Sequence, residues 1–170
     1  TGTLTLGKQV VHEIKCVGKS DEQALMYAAA LDQFSNHPVA QAIVKKAIEK
    51  NIDLSKLRVT DVTEVPGKGI VGNVNGTFVA VGNMELMKEF SCDCRQIFGF
   101  GENDRHTTVC LSLEKTGMAS VCVVDDVRKD AVKAVDSSKQ DGIKMAMLTG
   151  DKAEIAQEIA QALAIDEVHA

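Results

Sequence analysis

The sequence lacks several features that would each mark a class of protein. It contains no cluster of Lys or Arg, and 19 basic against 24 acidic residues give a formal net charge of -5. This argues against a surface for nucleic acid or anionic lipid. It also contains no apolar run near the roughly 18–20 residues of a membrane helix, and no charged-then-apolar leader. We expect a segment that binds no nucleic acid and is not itself inserted in a membrane.

The cysteines lack the pattern of a disulfide framework. Their number is odd, five in all, and no secretory leader accompanies them, which favours reduced thiols in a cytosolic setting. Cys92 and Cys94 stand two apart and could both reach one soft metal ion. A structural site usually takes four ligands, however, and no second Cys or His pair stands nearby. An incidental pair is the favoured interpretation, and metal binding there stays open.

The composition, with 45% hydrophobic and 25% charged residues among 170, suffices for one domain or a domain with part of another. Apolar positions at helical spacing predict a helical hairpin over residues 21–34 and 38–50, with Pro38 in the first turn of the second helix. Alternating β-branched residues then predict strands over 58–65, 69–74 and 77–81. Asn75-Gly76 between the last two predicts a type I′ turn.

The following segments continue the antiparallel strands and helices of an α+β unit, and the order of elements then changes to that of an α/β layer. We predict a short helix over 84–90, a surface loop over 91–105, and strands over 107–113 and 118–124 around the turn Lys115-Thr116-Gly117. Helix, strand and helix over 129–140, 143–148 and 152–163 instead indicate a parallel α/β layer. Residues 1–12 and 120–170 are therefore expected to form an α/β domain, into which the antiparallel unit 13–119 is inserted.

Several motifs in order carry a family resemblance over essentially the whole chain. Thr1-Gly2-Thr3-Leu4-Thr5 and Thr149-Gly150-Asp151 resemble the Asp-Lys-Thr-Gly-Thr-Leu-Thr and Thr-Gly-Asp motifs of P-type ATPases. Ser35-Asn36-His37-Pro38, Gly67-Lys68-Gly69-Ile70 and Gly82-Asn83 are similar to the nucleotide-binding motifs of the heavy-metal-transporting members. The resemblance implies an α+β nucleotide-binding domain with an antiparallel sheet and a helical hairpin, inserted in a haloacid-dehalogenase-like parallel-sheet domain that is incomplete here.

The resemblance also implies ATP as ligand and Mg²⁺ as cofactor. His37 would pack against the adenine ring, and Asp32 would stand where the family usually has the Glu that recognises the adenine amino group. Asn36 replaces a second usual Glu. The implied nucleotide-binding residues are Asp32, His37, Gly67, Gly69, Ile70, Gly82, Asn83, Asp125 and Arg128. Glycines at Gly67 and Gly69 would let the backbone come close to a ligand where a Cβ would collide.

The remaining implied roles concern phosphate and metal. Asp125 and Arg128 match an Asp-x-x-Arg motif that helps to hold the ATP phosphates, for which the planar fork of Arg is suited. Thr149, Gly150 and Asp151 would form a phosphate loop at a helix N-terminus. The backbone carbonyl of Thr1 is a candidate Mg²⁺ ligand. The family's nucleophilic Asp would precede Thr1, so this segment is expected to bind nucleotide without autophosphorylation.

The resulting expectation is the cytoplasmic ATP-binding portion of a pump that moves a heavy-metal cation through an aspartyl-phosphate intermediate. Its partners would be ATP or ADP and the membrane helices and actuator domain of the same polypeptide. The cargo is not encoded here, because membrane helices select it. Two alternatives stay open: a soluble phosphatase of the haloacid dehalogenase type, which explains Thr149-Gly150-Asp151 but not Ser35-Asn36-His37-Pro38, and a catalytically silent nucleotide-binding module.

Overall fold

The computed structural model describes residues 3–97, 107–150 and 153–170. The Cα positions divide the chain into two compact units. The first comprises Thr1–Lys8 and Asp125–Ala170, and the second comprises Gln9–Val124. The second unit is a few residues longer at each end than the range 13–119 expected from the sequence.

The helices and strands follow the predicted order closely. In chain order they are β1 (Thr5–Cys16), α1 (Asp21–Asp32), α2 (Pro38–Glu49), a 3₁₀ turn (Leu54–Lys56), β2 (Val59–Val65), β3 (Gly69–Val74), β4 (Thr77–Gly82), α3 (Met84–Glu89), β5 (Thr107–Leu113), β6 (Thr116–Val127), α4 (Lys129–Gln140), β7 (Ala146–Leu148), α5 (Ala153–Ala162) and β8 (Glu167–His169). Within the described ranges, no helix is long and apolar enough to cross a bilayer.

Within the described residues, the main sheet has six strands in the order β1–β6–β5–β4–β3–β2. The neighbouring pairs from β2 to β6 are antiparallel. Side chains alternate between its faces, as the period of two requires. Val79 and Val81 belong to the apolar cluster that includes α1 and α2, whereas Ala80 between them belongs to a second cluster with Leu86 and Met87 of α3. The second unit therefore has a core on each face of its sheet.

The helical hairpin is fixed by its ends. Ser20 caps α1 through its side chain, which accepts a hydrogen bond from the Gln23 backbone, and the Gln23 side chain accepts one from the Ser20 backbone. This reciprocal pair satisfies two amides that the first helical turn leaves open. Leu25 and Leu31 of α1 and Ile43 of α2 are fully buried in the core beside the sheet. The hairpin thus stands on one face of the sheet, and the loop 33–37 joins its two helices at one end.

The tight turns show where the sequence pattern was sufficient and where it was not. Asn75 and Gly76 have φ of 52° and 85°, so the predicted type I′ turn is confirmed. The next hairpin was misplaced: the residues with positive φ are Glu114 and Lys115, at 47° and 62°, and Leu113 pairs with Thr116. Gly117 lies inside β6, where a Cβ would come within 2.9 Å of the Cys94 Cα atom.

The same contact corrects the predicted surface loop over 91–105. Cys94 and Ile97 are only 4% and 3% exposed, and the Gly117 amide donates to the Asp93 carbonyl at 2.7 Å. The segment up to residue 97 is therefore packed on the sheet and is not a mobile surface loop. Residues 98–105 of that prediction lie outside the described residues.

In the first unit, β7 and β8 pair in parallel, with Met147 opposite Val168. The strand β7 is shorter than the predicted 143–148, and β8 was not predicted. Met147, Ala156 and Ala160 form a small buried cluster on which Leu4 packs. The Leu4 carbonyl accepts a hydrogen bond from the Arg128 amide at 2.9 Å, which ties the start of the chain to the start of α4.

Candidate functional site

The second unit contains a cleft of about 250 Å³ at the end of the helical hairpin where the loop 33–37 joins the two helices. Apolar side chains from α2, β3, β4 and β5 form much of its wall, and the loops before α2 and β3 form its rim. The cleft brings together every nucleotide-binding residue that the sequence predicted within this unit: Asp32, His37, Gly67, Gly69, Ile70, Gly82 and Asn83. Residues far apart in the sequence thus share one concave surface, as small-molecule sites do.

His37 is the N-cap of α2. Its Nδ1 accepts a hydrogen bond from the Val39 amide at 3.3 Å, and its own amide donates to Ser35 Oγ at 3.2 Å. Because Nδ1 accepts, the ring proton sits on Nε2 in this geometry. The exposed imidazole is thereby held at the rim of the cleft. His37 thus both caps α2 and lines the cleft.

Ser35 and Glu64 are cleft residues that the sequence reasoning did not assign. Ser35 is 4% exposed, and its hydroxyl donates to Glu64 Oε1 of β2 at 2.7 Å. The Gln41 side chain donates to the Ser35 carbonyl at 2.6 Å. These bonds fasten the loop before α2 to the sheet and to α2. Glu64 belongs to none of the motifs found in the sequence. Its position two residues before Pro66 was the one feature that could have indicated a place near the site.

Asp32, the last residue of α1, is the least satisfied polar group of the cleft. It is 3% exposed, and its Oδ2 is enclosed without a hydrogen-bond partner among the described residues. Burial raises the pKa of this carboxyl from 3.8 to about 7, because removal from water disfavours the charged form. The sequence analysis placed Asp32 where the family usually has Glu, but it could not foresee the enclosure of the carboxyl group.

Two glycines of the cleft, Gly69 and Gly82, are needed by the fold itself. Gly69 and Gly82 face each other in the ladder of β3 and β4. A Cβ on Gly69, whose φ is +144°, would overlap the Val81 carbonyl oxygen and lie 2.5 Å from the Gly82 Cα atom; a Cβ on Gly82 would overlap the Lys68 carbonyl oxygen. Glycine at these two positions is therefore required by the close approach of the protein's own backbone; close approach to a ligand at Gly67 and Gly69 stays a prediction. Gly67, with φ of +72°, faces open space.

Asn83 links the two glycine segments. Its Oδ1 caps α3 by accepting from the Leu86 amide at 3.0 Å, its Nδ2 donates to the Gly67 carbonyl at 3.1 Å, and its amide donates to the Lys68 carbonyl at 2.8 Å. Lys68 in turn places its ammonium 2.6 Å from Glu89 Oε2. The rim of the cleft on this side is therefore fixed by bonds made entirely within the second unit.

Among the described residues, four predicted site residues belong to the first unit, and they do not line the cleft of the second unit. Asp125 accepts from Thr5 Oγ1 at 2.8 Å through Oδ2, while its Oδ1 is enclosed without a partner among the described residues. The Arg128 guanidinium bonds the Asp130 carboxylate at 3.0 and 3.2 Å. Thr149 and Gly150 follow the carboxyl end of β7, where ligands of open α/β sheets bind. Thr1 and Asp151 lie outside the described residues.

The next feature is the placement of side chains that could bind a metal ion. Over 3–97, 107–150 and 153–170, no group of three or more His, Cys, Asp or Glu side chains is arranged to hold a metal ion. Cys94 is buried in the second core, and Cys92 Sγ accepts from Ser112 Oγ at 3.0 Å. The pair is therefore not a surface feature, because Cys94 is buried.

Comparison with known proteins identifies the family. The model of the haloacid dehalogenase-like hydrolases matches residues 1–169. A probable cadmium-transporting ATPase of Alkalihalophilus pseudofirmus is 35% identical over all of this chain and 25% of its own length. A copper-exporting P-type ATPase of Staphylococcus saprophyticus is 35% identical over 99% of this chain and 21% of its length.

A solved structure of a zinc-transporting PIB-type ATPase superposes with a TM-score of 0.86 at 29% identity, covering 98% of this chain and 27% of the other. The chain belongs to the haloacid dehalogenase-like hydrolases. Its relatives are heavy-metal P-type ATPases, which are enzymes, so the resemblance stated from the motifs and the fold class predicted from it are confirmed. The chain spans about a quarter of the length of these curated relatives.

Proposed function

We propose that the second unit binds ATP, as the nucleotide-binding domain of a P-type ATPase that moves a heavy-metal cation across a membrane. The observation that carries the proposal is the convergence of Asp32, His37, Gly67, Asn83 and their neighbours on one cleft, with Asp32 enclosed and without a hydrogen-bond partner among the described residues. A buried carboxyl group without a hydrogen-bond partner is costly, and a ligand in the cleft can give that group a partner.

The size and walls of the cleft suggest which part of the nucleotide enters it. About 250 Å³ lies just below the roughly 300–1,000 Å³ of sites that take drug-sized molecules. Apolar side chains such as Ile43, Val81 and Val109 line it, and the His37 ring stands at the rim. We infer that the base and ribose occupy the cleft and that the phosphates extend beyond it.

The first unit would supply the phosphate chemistry. Arg128 and the loop at Thr149 and Gly150 offer the donors that anions need, and the pump's aspartyl phosphate would form in this domain. Mg²⁺, when bound, would neutralise charge on the phosphates.

The remaining proposals concern the whole polypeptide. We place the chain on the cytoplasmic side of the membrane and take membrane helices and an actuator domain of the same polypeptide as its partners. The named relatives transport cadmium or copper, and the cargo of this protein is left unassigned.

The test is a titration of the 170-residue chain with ATP, ADP, AMP and GTP, followed by backbone amide NMR. Saturable shifts at Asp32, His37, Gly67 and Asn83 with ATP favoured over GTP are the expected result. Lys45→Ala on the exposed side of α2 is the matched control and should bind like the parent. Absence of shifts at any nucleotide concentration refutes the proposal, and hydrolysis of simple phosphate esters would then favour the phosphatase alternative.

A further inference from the structure

The environment of Asp32 bears on the form in which it meets a ligand. The side chain is 3% exposed and lines the cleft, and its Oδ2 is fully enclosed with no hydrogen bond to any described residue. A carboxylate needs hydrogen-bond donors around both of its oxygens. A neutral carboxylic acid has instead one hydroxyl and one carbonyl oxygen, and the uncharged carbonyl oxygen tolerates enclosure better. The enclosed Oδ2 therefore suits the carbonyl oxygen, and the other oxygen the hydroxyl.

The charged groups around the cleft do not reverse this preference. α2 contributes His37, whose Nδ1 is engaged by the Val39 amide. β2 contributes Glu64, which accepts from Ser35. The loop before β3 contributes Lys68, whose ammonium is paired with Glu89, while the cleft residues of β3, β4 and β5 carry no charge. Burial alone accounts for the raised pKa of Asp32, at about 7, with no charged partner contributing.

We propose that Asp32 reads the base as a neutral carboxylic acid, donating its hydroxyl proton to an acceptor nitrogen of the purine ring. This inference rests on the proposed nucleotide site and deepens it. A carboxylate at this place would accept a proton from an amino group instead. The two forms demand opposite partners and give opposite pH dependences, because nucleoside binding holds the proton on Asp32 in the first case and removes it in the second.

The experiment measures the Kd of adenosine for the 170-residue chain between pH 6 and 8. Adenosine is the probe because a phosphate group titrates near pH 6 and would obscure the effect. If only the neutral acid binds, the Kd should rise about 10-fold from pH 6 to 8, given a pKa of about 7. Asp32→Asn, which keeps a donor and an acceptor but cannot ionise, should give a Kd that stays flat and should bind more tightly than the parent at pH 8.

Two further readouts keep the result decisive. Purine riboside, which lacks the amino group but keeps the ring nitrogens, should bind with the same pH dependence. The ¹³C shift of the Asp32 carboxyl should titrate at higher pH when adenosine is bound, and this requires no variant. A Kd that falls or stays flat with rising pH, or a carboxyl that titrates lower with ligand, overturns the inference. Failure to bind any nucleoside or nucleotide at any pH overturns the proposed function instead.

Discussion

Replacement of Gly69 by Ala should weaken the fold of the second unit, and not merely block its cleft. The backbone φ of +144° is one that L-residues rarely adopt, and the new Cβ would overlap the Val81 carbonyl oxygen and approach the Gly82 Cα atom to 2.5 Å. Such backbone strain costs about 1–3 kcal/mol, and overpacking a well-filled region costs about 1–3 kcal/mol. The expected loss is about 2–6 kcal/mol, a large part of the ~5–15 kcal/mol that stabilises a domain.

Urea unfolding followed by tyrosine fluorescence measures this loss in the right unit. The chain has one tyrosine and no tryptophan, and Tyr27 lies in α1, packed against the core of the second unit. The signal therefore reports this unit even if the other unfolds separately. A lower midpoint with an unchanged m-value would indicate lost stability in an otherwise similar transition.

Gly67→Ala is the matched control. Gly67 has φ of +72° but open space where a Cβ would stand, so this variant carries the left-handed backbone cost of about 1–2 kcal/mol without the overlap. Gly69→Ala should therefore be clearly the less stable of the two. If the two variants unfold at the same midpoint, and Gly69→Ala alone loses ATP binding, the sequence-based argument of close approach to a ligand is right and the backbone explanation is wrong.

Three further predictions concern the polar residues of the cleft. His37→Ala should lower the free energy of unfolding by about 0.5–2 kcal/mol in urea, because it removes the cap of α2, and it should also lower the affinity for ATP. His37→Asn should keep the cap and lower the affinity only. Equal stability of the two variants would refute the capping role. Asn83→Ala should destabilise the second unit by about 1–2 kcal/mol, and Asn83→Asp, which keeps the acceptor for the Leu86 amide, should retain most of that stability; no difference between them would refute the cap. The free energy of unfolding should fall as pH rises from about 4 to about 7, because Asp32 ionises over that range in the unfolded state but not in the folded state, where its pKa is raised from 3.8 to about 7. Asp32→Asn should recover up to about 4 kcal/mol at pH 8 and nothing near pH 4. A constant difference in stability between the two proteins over that range would contradict the assignment.

The sequence predicted elements where local chemistry decides the outcome. The type I′ turn at Asn75-Gly76 formed because few other residues accept positive φ at both positions, and α2 began at Pro38 because the first helical turn needs no amide there. The alternating β-branched runs predicted β3 and β4 in the same local way. Each of these signals is complete within a few neighbouring residues.

Elements that depend on distant partners were missed. Residues 91–97 are polar and look like a loop, yet Cys94 and Ile97 are buried because Gly117 of β6 leaves room for them. The turn before β6 was misplaced because Gly117 was taken as one of its residues, whereas Glu114 and Lys115 adopt the left-handed backbone. β8 was missed because three residues carry too weak a pattern without the parallel partner β7 that pairs with them.

The site shows a similar division between what motifs indicate and what geometry adds. The motifs selected the right residues for the cleft, but several of them have duties in the fold that need no ligand. His37 caps α2, Asn83 caps α3, and Gly69 and Gly82 allow two strands to meet. A motif made of such residues can be explained by folding alone, so its presence is weaker support for binding than the number of matches suggests.

Asp32 differs from these residues because the fold has no use for its carboxyl group. That group caps no helix, its Oδ2 has no hydrogen-bond partner among the described residues, and it is enclosed where its ionisation is disfavoured. Natural proteins leave few buried polar groups unsatisfied, and an apolar residue of similar size would make this wall more stable. A residue that weakens the domain in its empty state is best explained by a partner that arrives with the ligand. The case for nucleotide binding therefore rests more on this carboxyl than on the glycines and caps that first drew attention to the cleft.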